Sequence, residues 1–243
     1  MQLTYIFHSG FIVSGHGFSI LIDYWRDTKS AKKGYVHEHF LQSPDKLYVL
    51  SSHAHPDHFN PEILTWHEKR PDIQYIFSSD ILATIKNALK TPEIFYLDKT
   101  EVYRDNYIQV KAFGSTDIGI SFAIEAEGKS IFHAGDFNNW HWNEESTEEE
   151  IRTAETSFLR KLKILAKAYP KFDLVMFPVD PRLGKDYMRG AEQFVQTIKT
   201  INFAPMHFFG FGYKEANAFK IIAEAHGTRF LSIHECGETV LNL

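Results

Sequence analysis

The sequence predicts an α/β fold in which two mixed β-sheets pack face to face with helices on both outer faces. Two observations predict it. The first sixty residues and the stretch from Ile94 to Phe132 are both β-branched or aromatic runs broken by turn residues, and each is followed by strands alternating with helices. A third observation concerns organisation. No internal repeat, low-complexity tract or Pro/Ser/Gly linker divides the chain, so residues 1–243 are expected to form a single domain.

Each element follows from its local pattern. Leu3 to Phe7, Phe11 to Val13, Phe18 to Ile22 and Leu47 to Leu50 are short apolar strands separated by Gly and Ser. Asn60-Pro61 supplies a cap and a first-turn proline for a helix running through Ile63, Leu64, Trp66 and His67 towards Arg70. Ile73 to Phe77 is a further strand, and Ser79 is placed to cap a helix over Asp80 to Leu89. Strands are then expected over Tyr107 to Phe113, Ile118 to Glu125 and Lys129 to Phe132, the last two joined by a Glu127-Gly128 turn. Thr147 with Glu150 reads as a capping box, and Glu148 to Glu150 place negative charge at the positive end of a helix reaching about Tyr169. Asp173 to Phe177, Asn202 to Met206 and Phe230 to Ile233 read as strands, alternating with helices near Arg189 to Lys199 and Lys214 to His226.

Composition narrows the class. Of 243 residues 44% are hydrophobic and 23% charged, an ordinary globular balance that buries roughly 70–75% of the unfolded surface. With 26 Lys+Arg against 31 Asp+Glu the formal charge is −5, and no basic run offers a footprint for a phosphate backbone, so nucleic acid is not an expected partner. The single cysteine, Cys236, forms no internal disulfide and suits a reducing compartment, so a cytoplasmic location is expected. No stretch approaches the ~18 apolar residues of a membrane span, and Met1 to Tyr24 lacks a basic start followed by an apolar core. The expected partner is a small-molecule substrate. Oligomeric state has no signature in the sequence.

The thirteen histidines cluster. Ser52-His53-Ala54-His55-Pro56-Asp57-His58 holds three imidazoles and a carboxylate directly after an apolar strand. A lone histidine is ordinarily a surface or core residue, but no structural need explains that density. Histidines two apart on an extended segment point the same way, and Asp57-His58 is able to turn inward as a second pair, so the four form two ligand pairs for two metals. His133-Ala134-Gly135-Asp136 follows another apolar run, with glycine allowing close backbone approach and Asp136 able to bridge two cations. Met206-His207 ends a late strand before a Gly-rich loop. Each candidate thus lies at the end of an apolar strand, where all can converge on one sheet edge.

In this order, His53-x-His55-x-Asp57-His58, then Asp136, then His207, the sequence resembles the metallo-β-lactamase-fold superfamily over nearly its whole length. Its opening Tyr5-Ile6-Phe7-His8-Ser9-Gly10-Phe11, its Leu21-Ile22-Asp23 and its His133-Ala134-Gly135-Asp136 string are similar to the L-ascorbate-6-phosphate-lactonase-like branch. The resemblance implies an αββα sandwich built of two similar halves, with a metal centre at the edge between the sheets. It implies His53 and His55 on a first metal, Asp57, His58 and His207 on a second, and Asp136 bridging them. The third first-site histidine usual in that family is missing from Phe113-Gly114-Ser115-Thr116-Asp117-Ile118-Gly119. Asp117 is the first substitute, as an anionic ligand; Thr116, Ser115, His133 and His141 are the others.

The remaining candidates surround this centre. Trp140 and Trp142 either line a substrate mouth or anchor their loop. Asp180, Arg182 and Lys185 read as surface-loop charge in preference to an anion site. His8 and Asp23 are expected to support the ligands by hydrogen bonds or simply to be buried. His37 and His39 read as surface residues, and Cys236 as a small buried thiol. Together these point to a metal-dependent hydrolase in which a cation lowers the pKa of a water to about 7 for attack on an ester, lactone or phosphoester-like centre, with Asp57 as the catalytic residue that orients that water or accepts its proton. Zinc is the default cofactor, as one or two ions, with manganese or iron tolerated if an aspartate replaces the missing histidine. The alternative is a degenerate member that binds a metal or ligand without catalysis.

Overall fold

Alternation along the central strands decides how the layers stack. In Phe18–Ile22 and Lys46–Ser51, residues Phe18, Ile20, Ile22, Tyr48 and Leu50 join one core, while Leu21, Leu47 and Val49 join a second on the opposite face. A sheet apolar on both faces must be covered on both. The computed structural model describes residues 1–30, 32–85, 92–210 and 212–242. Among these, the strands form two seven-stranded sheets.

The first sheet contains β1 (Gln2–Phe7), β2 (Gly10–Gly15), β3 (Phe18–Ile22), β4 (Lys46–Ser51), β5 (Gln74–Ser78), β6 (Ile94–Leu97) and, at the far edge beside β1, β14 (Thr239–Asn242). β7 (Val102–Arg104), β8 (Ile108–Gly114), β9 (Ile120–Ala126), β10 (Lys129–His133), β11 (Lys171–Pro178), β12 (Lys199–Met206) and β13 (Arg229–Phe230) form the second in sequential order. Each sheet starts as antiparallel hairpins and continues as parallel strands, from β3 to β6 in one and β10 to β13 in the other. The expected α/β sandwich of mixed sheets is therefore what forms.

Helices α1 (Tyr35–Glu38), α2 (Ile81–Ile85), α3 (Glu148–Ala168), α4 (Arg189–Thr197), α5 (Tyr213–Asn217) and α6 (Lys220–Ala225) lie on the connections. The capping box of α3 forms as expected, with Thr147 accepting from Glu150 N and the Glu150 carboxylate accepting from Thr147 N. Phe158, Leu162 and Leu165 bury its apolar stripe against the second sheet, where Phe132 packs against Phe172 and Phe194. No described helix is long and apolar enough to cross a membrane.

Some elements depart from the sequence pattern for local reasons. The segment Pro61–Glu68 is a 3-10 helix, capped by Asn60 as expected; its buried Ile63 and Trp66, three apart, share a face in that geometry. The Ser79 hydroxyl donates to Asp98, and of the helix expected over Asp80 to Leu89 residues 86–89 lie outside the described residues. β9 starts at Ile120 because Gly119, at φ +76°, turns the chain before it. The last helix divides at Phe219, whose ring packs on Phe203 and Phe230. Beyond β13, Leu231 N still donates to Phe203 O of β12, but by Ile233 the chain has left the sheet and its N–H donates to the Asn217 side chain.

Candidate metal centre

The strands that run parallel release their chains at one end of the sandwich, where open α/β sheets characteristically present their sites. Asp23 follows β3, Ser52 to His58 follow β4, Ala134 to Asp136 follow β10, Asp180 follows β11 and His207 follows β12. His8, after β1, reaches the same end. The two sheets are joined there by Ile120 N donating to Ser52 O and His207 N donating to His8 O.

Local turns aim the side chains. After β4 the chain bends through His53 to His55, with Ala54 N–H held by Asp80, and the N–H groups of His58 and Phe59 both donate to His55 O and fold Asp57-His58 back inward. His8, Asp23 and His207 have φ of 56°, 50° and 66°, a left-handed conformation rare for side-chain-bearing residues. Three such residues at three strand ends in one site are stored strain of the kind found where function fixes a geometry. Gly119 and Gly135 close the floor: a Cβ on Gly119 would lie 2.2 Å from Ser52 O, and one on Gly135 2.9 Å from the Ser52 side chain.

Two groups of ligand atoms result, His8, Asp57, His58 and His207 in one and His53, His55 and Asp136 in the other. Asp136 reaches both. Its Oδ2 lies 3.3 Å from His53 Nε2, and its Oδ1 lies 3.1 Å from His58 Nε2 and 3.2 Å from His207 Nε2. Asp57 Oδ2 is 3.8 Å from the Nε2 atoms of both His58 and His207, and 3.2 Å from His8 Nε2. In the first group His53 Nε2 and His55 Nδ1 are 3.0 Å apart.

The far sides of the rings are fixed by carboxylates. His58 Nδ1 donates to Asp23 Oδ2 at 2.7 Å, and His207 Nδ1 donates to Asp180 Oδ2 at 2.9 Å. Ser52 gives its one hydroxyl proton to Asp23, so its oxygen is left to accept from His53 Nδ1 at 3.0 Å. In all three histidines Nε2 is then the ring atom turned into the cluster, the one that a metal would take in exchange for its proton.

Burial and charge reinforce this. Burial alone would raise the Asp136 and Asp57 carboxyls, but the neighbouring histidines outweigh it and hold both well below the usual range. Burial would lower His58 and His207, yet Asp136 beside both, with Asp23 on His58, raises them. His8 is pushed down to about 4, chiefly by burial, and so stays neutral at neutral pH. Although Asp136 Oδ1 lies 3.1 Å from His58 Nε2 and 3.2 Å from His207 Nε2, all three atoms are buried and none makes a well-directed hydrogen bond. Buried polar atoms are ordinarily satisfied. A converging set of imidazole and carboxylate donors left open in this way fits a divalent transition-metal ion.

Of the residues singled out in the sequence, the structure thus brings together His53, His55, Asp57, His58, Asp136 and His207. Asp117 is exposed and stands outside both groups, although with Thr116 it lines the same cavity. The other substitutes for the missing histidine have other work. His133 bonds Ser9 O through Nε2 and accepts from Gly135 N at Nδ1; His141 bonds Asp186 O and accepts from Asn143 N. Thr116 Oγ1 ties together the Asp136 and Asn138 backbones, and Ser115 Oγ accepts from Asp117 N.

Three readings of the sequence are corrected. Asp180 is fully buried, held by Arg182 Nε at 2.9 Å, and is the partner of His207. His37 is no free surface residue: its ring is clamped between Asp27 at 2.7 Å and Glu62 at 3.0 Å. Cys236 is half-buried, 3.4 Å from the Tyr213 hydroxyl. His8 goes further than a support, entering the second ligand group itself. Its setting, a histidine after the first strand, was visible, but its convergence with β12 was not.

The cluster floors a cavity of about 370 Å³. Trp140 and Trp142 stack on each other along one wall, and Trp140 packs edge-on against His207 while its indole N–H donates to Asp136 O. The Arg182 guanidinium lines the same cavity, with its side chain 46% exposed.

Solved structures share the fold. The chain is 19% identical to Igni18, a metallo hydrolase from the archaeon Ignicoccus hospitalis, with a TM-score of 0.69 over 100% of this chain and 98% of that one. The metallo-β-lactamase fold protein YhfI from Bacillus subtilis gives 13% identity and a TM-score of 0.67 over 98% of this chain and 97% of its own. CmlA, a diiron β-hydroxylase from Streptomyces venezuelae, gives 15% identity and a TM-score of 0.67; all of this chain matches 54% of that protein. Comparison with curated sequences finds no significant match. The resemblance read from the motifs holds at the level of the superfamily, and the lactonase-like branch rests on the motifs alone. A family model for the β-lactamase superfamily domain matches residues 2–153, more than half of the sequence, and the chain belongs to that family.

Proposed function

We propose that this protein is a metal-dependent hydrolase acting on an ester, lactone or phosphoester-like bond of a small molecule. One observation carries the proposal: three buried ligand atoms, on His58, His207 and Asp136, converge with no well-directed hydrogen bond among them while carboxylates fix the two imidazoles from behind. Asp57, His58 and His207, with His8 beside them, would hold one ion; His53 and His55 would hold another; Asp136 would bridge. Zinc suits these nitrogen and oxygen donors, with manganese or iron tolerated if Asp117 takes the place of the missing histidine. A bound divalent ion supplies a water of lowered pKa, near 7, and polarises the scissile group.

The chain's own residues do the rest. Asp57, with its side chain 30% exposed at the cavity wall, is an anion that accepts a hydrogen bond from the attacking water and so orients it. Trp140 and Trp142 wall off bulk water on one side. Arg182, kept in place by Asp180, faces the cavity with a cation able to pair with an anionic portion of the substrate. A small cytoplasmic metabolite is the class of substrate that such a cavity and a single-cysteine chain suit.

The test is metal stripping followed by stoichiometric reloading. Protein treated with chelator should lose hydrolysis of a panel of esters, lactones and phosphodiesters and regain it at two equivalents of zinc per chain, while His53→Ala/His55→Ala should lose metal and turnover together. Full turnover in that double variant overturns the assignment. The second reading, a binder without catalysis, has its own support in the three-residue first group, to which Phe113–Gly119 adds no histidine. It predicts one equivalent at most and no turnover on the whole panel.

A further inference from the structure

On the other face of the second sheet, a cleft of about 660 Å³ opens between α3 and the ends of β8 and β9. Its floor is apolar and well packed, with Phe132, Phe137 and Leu165 all nearly fully buried and Phe113 half-buried beside them. Ile164, 58% exposed, forms part of its wall. Its charged lining is all of one sign: Lys99, Lys111, Arg160, Lys161 and Lys167 surround the opening, and among the described residues no carboxylate lines it.

That sign is the informative feature, because the whole chain carries a net charge of −5. Three of the five, Arg160, Lys161 and Lys167, come from one basic stretch of α3, and the fold adds Lys99 from the β6–β7 connection and Lys111 from β8. Five like charges gathered around one opening raise the local positive potential and favour an anion there. The volume is that of a small-molecule site. Lys161 is half-buried and its ammonium group donates to the Ser115 carbonyl, at the inner end of the cleft; burial lowers its pKa. The Lys111 ammonium lies 5.5 Å from the Phe113 ring centre, leaning over the apolar floor.

We infer that this cleft binds an anionic amphiphile, a medium-chain acyl carboxylate or a molecule of that chemistry, with its apolar body on Phe113 and Ile164 and its head group among Lys111, Arg160 and Lys161. The site is separate from the candidate metal centre and does not depend on a hydrolytic function there.

The experiment is calorimetric titration of the intact protein with sodium decanoate below its micellar concentration, in the presence of a chelator so that no metal acts as receptor. The expected result is saturable one-to-one binding, weakened at least tenfold in Ile164→Glu and in Lys111→Gln/Lys161→Gln, and at least tenfold weaker for decyltrimethylammonium. Ile164 is exposed, so its variant retains the fold, which circular dichroism checks. Absence of saturable decanoate binding, equal binding of the cation and the anion, or unchanged affinity in both variants overturns the inference. So does a sedimentation coefficient that falls in Ile164→Glu, which would make the cleft a contact between copies of this chain.

Discussion

Asp23 Oδ2 lies 2.7 Å from His58 Nδ1, and the same carboxylate receives Ser52 N–H and Ser52 O–H, both at 2.7 Å. Through Ser52 it also sets His53, so one fully buried aspartate orients a histidine in each of the two ligand groups. Removing it frees both rings to take the wrong tautomer. Asp23→Ala should therefore weaken metal binding about 10–100-fold, and at both positions, whereas Ser52→Ala should weaken the His53 position preferentially. Competition with a chromophoric chelator measures this; equal two-site affinity in Asp23→Ala and the parent protein would remove Asp23 from the role.

A second prediction concerns close approach. Gly119→Ala puts a methyl carbon 2.2 Å from Ser52 O and 2.5 Å from His53 Cβ at a φ of +76°, so backbone and ligand must both move. Gly128, at φ +71° in its hairpin turn, meets nothing within 4 Å and serves as the comparison. Gly128→Ala should cost about 1–2 kcal/mol, from backbone strain alone. Gly119→Ala should cost more, and should also reduce metal uptake by the His53 group. Urea unfolding and metal titration distinguish the two effects.

The third concerns Asp27, fully buried and accepting from Thr28 N, Val36 N, His37 N and the His37 ring. Burial opposes the charge, but these hydrogen bonds outweigh it and hold the carboxyl below its usual value. With the folded pKa below an unfolded value of about 3.9, its contribution is complete above that pH and is lost as the pH falls through the folded value. Asp27→Asn should thus lower stability at pH 7 by about 1–3 kcal/mol, with the difference closing in acid below pH 4. Denaturant midpoints across pH 3–7 check it, and a difference that widened in acid would reverse the sign.

A fourth follows from the unpartnered atoms at the centre. A metal that binds the folded chain selectively should raise its stability by about 2.7 kcal/mol at one hundred times the dissociation constant. The melting temperature should rise on adding zinc and return on adding chelator, with the response much reduced in His207→Ala.

The sequence carried most of the fold because its signals were local. The capping box at Thr147, the glycine turn at Glu127-Gly128 and the apolar runs of β3 and β4 each needed only neighbouring residues to be read. The His53 to His58 run was equally legible, since four candidate ligands fell within six positions. What failed depended on contacts across the chain. Asp180 looked like loop charge because its partner His207 is 27 positions away, and His37 looked exposed because Glu62 is 25 positions away. Short edge strands such as β14 gave no apolar run long enough to register, and the lysine rim of the second cleft exists only once α3 lies across β8.

The position of the ligands has a mechanical consequence. His53, His55 and His58 hang from the first sheet, whereas Asp136 and His207 hang from the second. An ion gripped by both sets acts as a rivet through the seam of the sandwich, adding to the few backbone bonds that already stitch it at Ser52 and His8. Prying the halves apart would then first require extracting the rivet, so loss of metal should loosen this end of the molecule well before the rest, and hydrogen exchange would record it at the tips of β4 and β12.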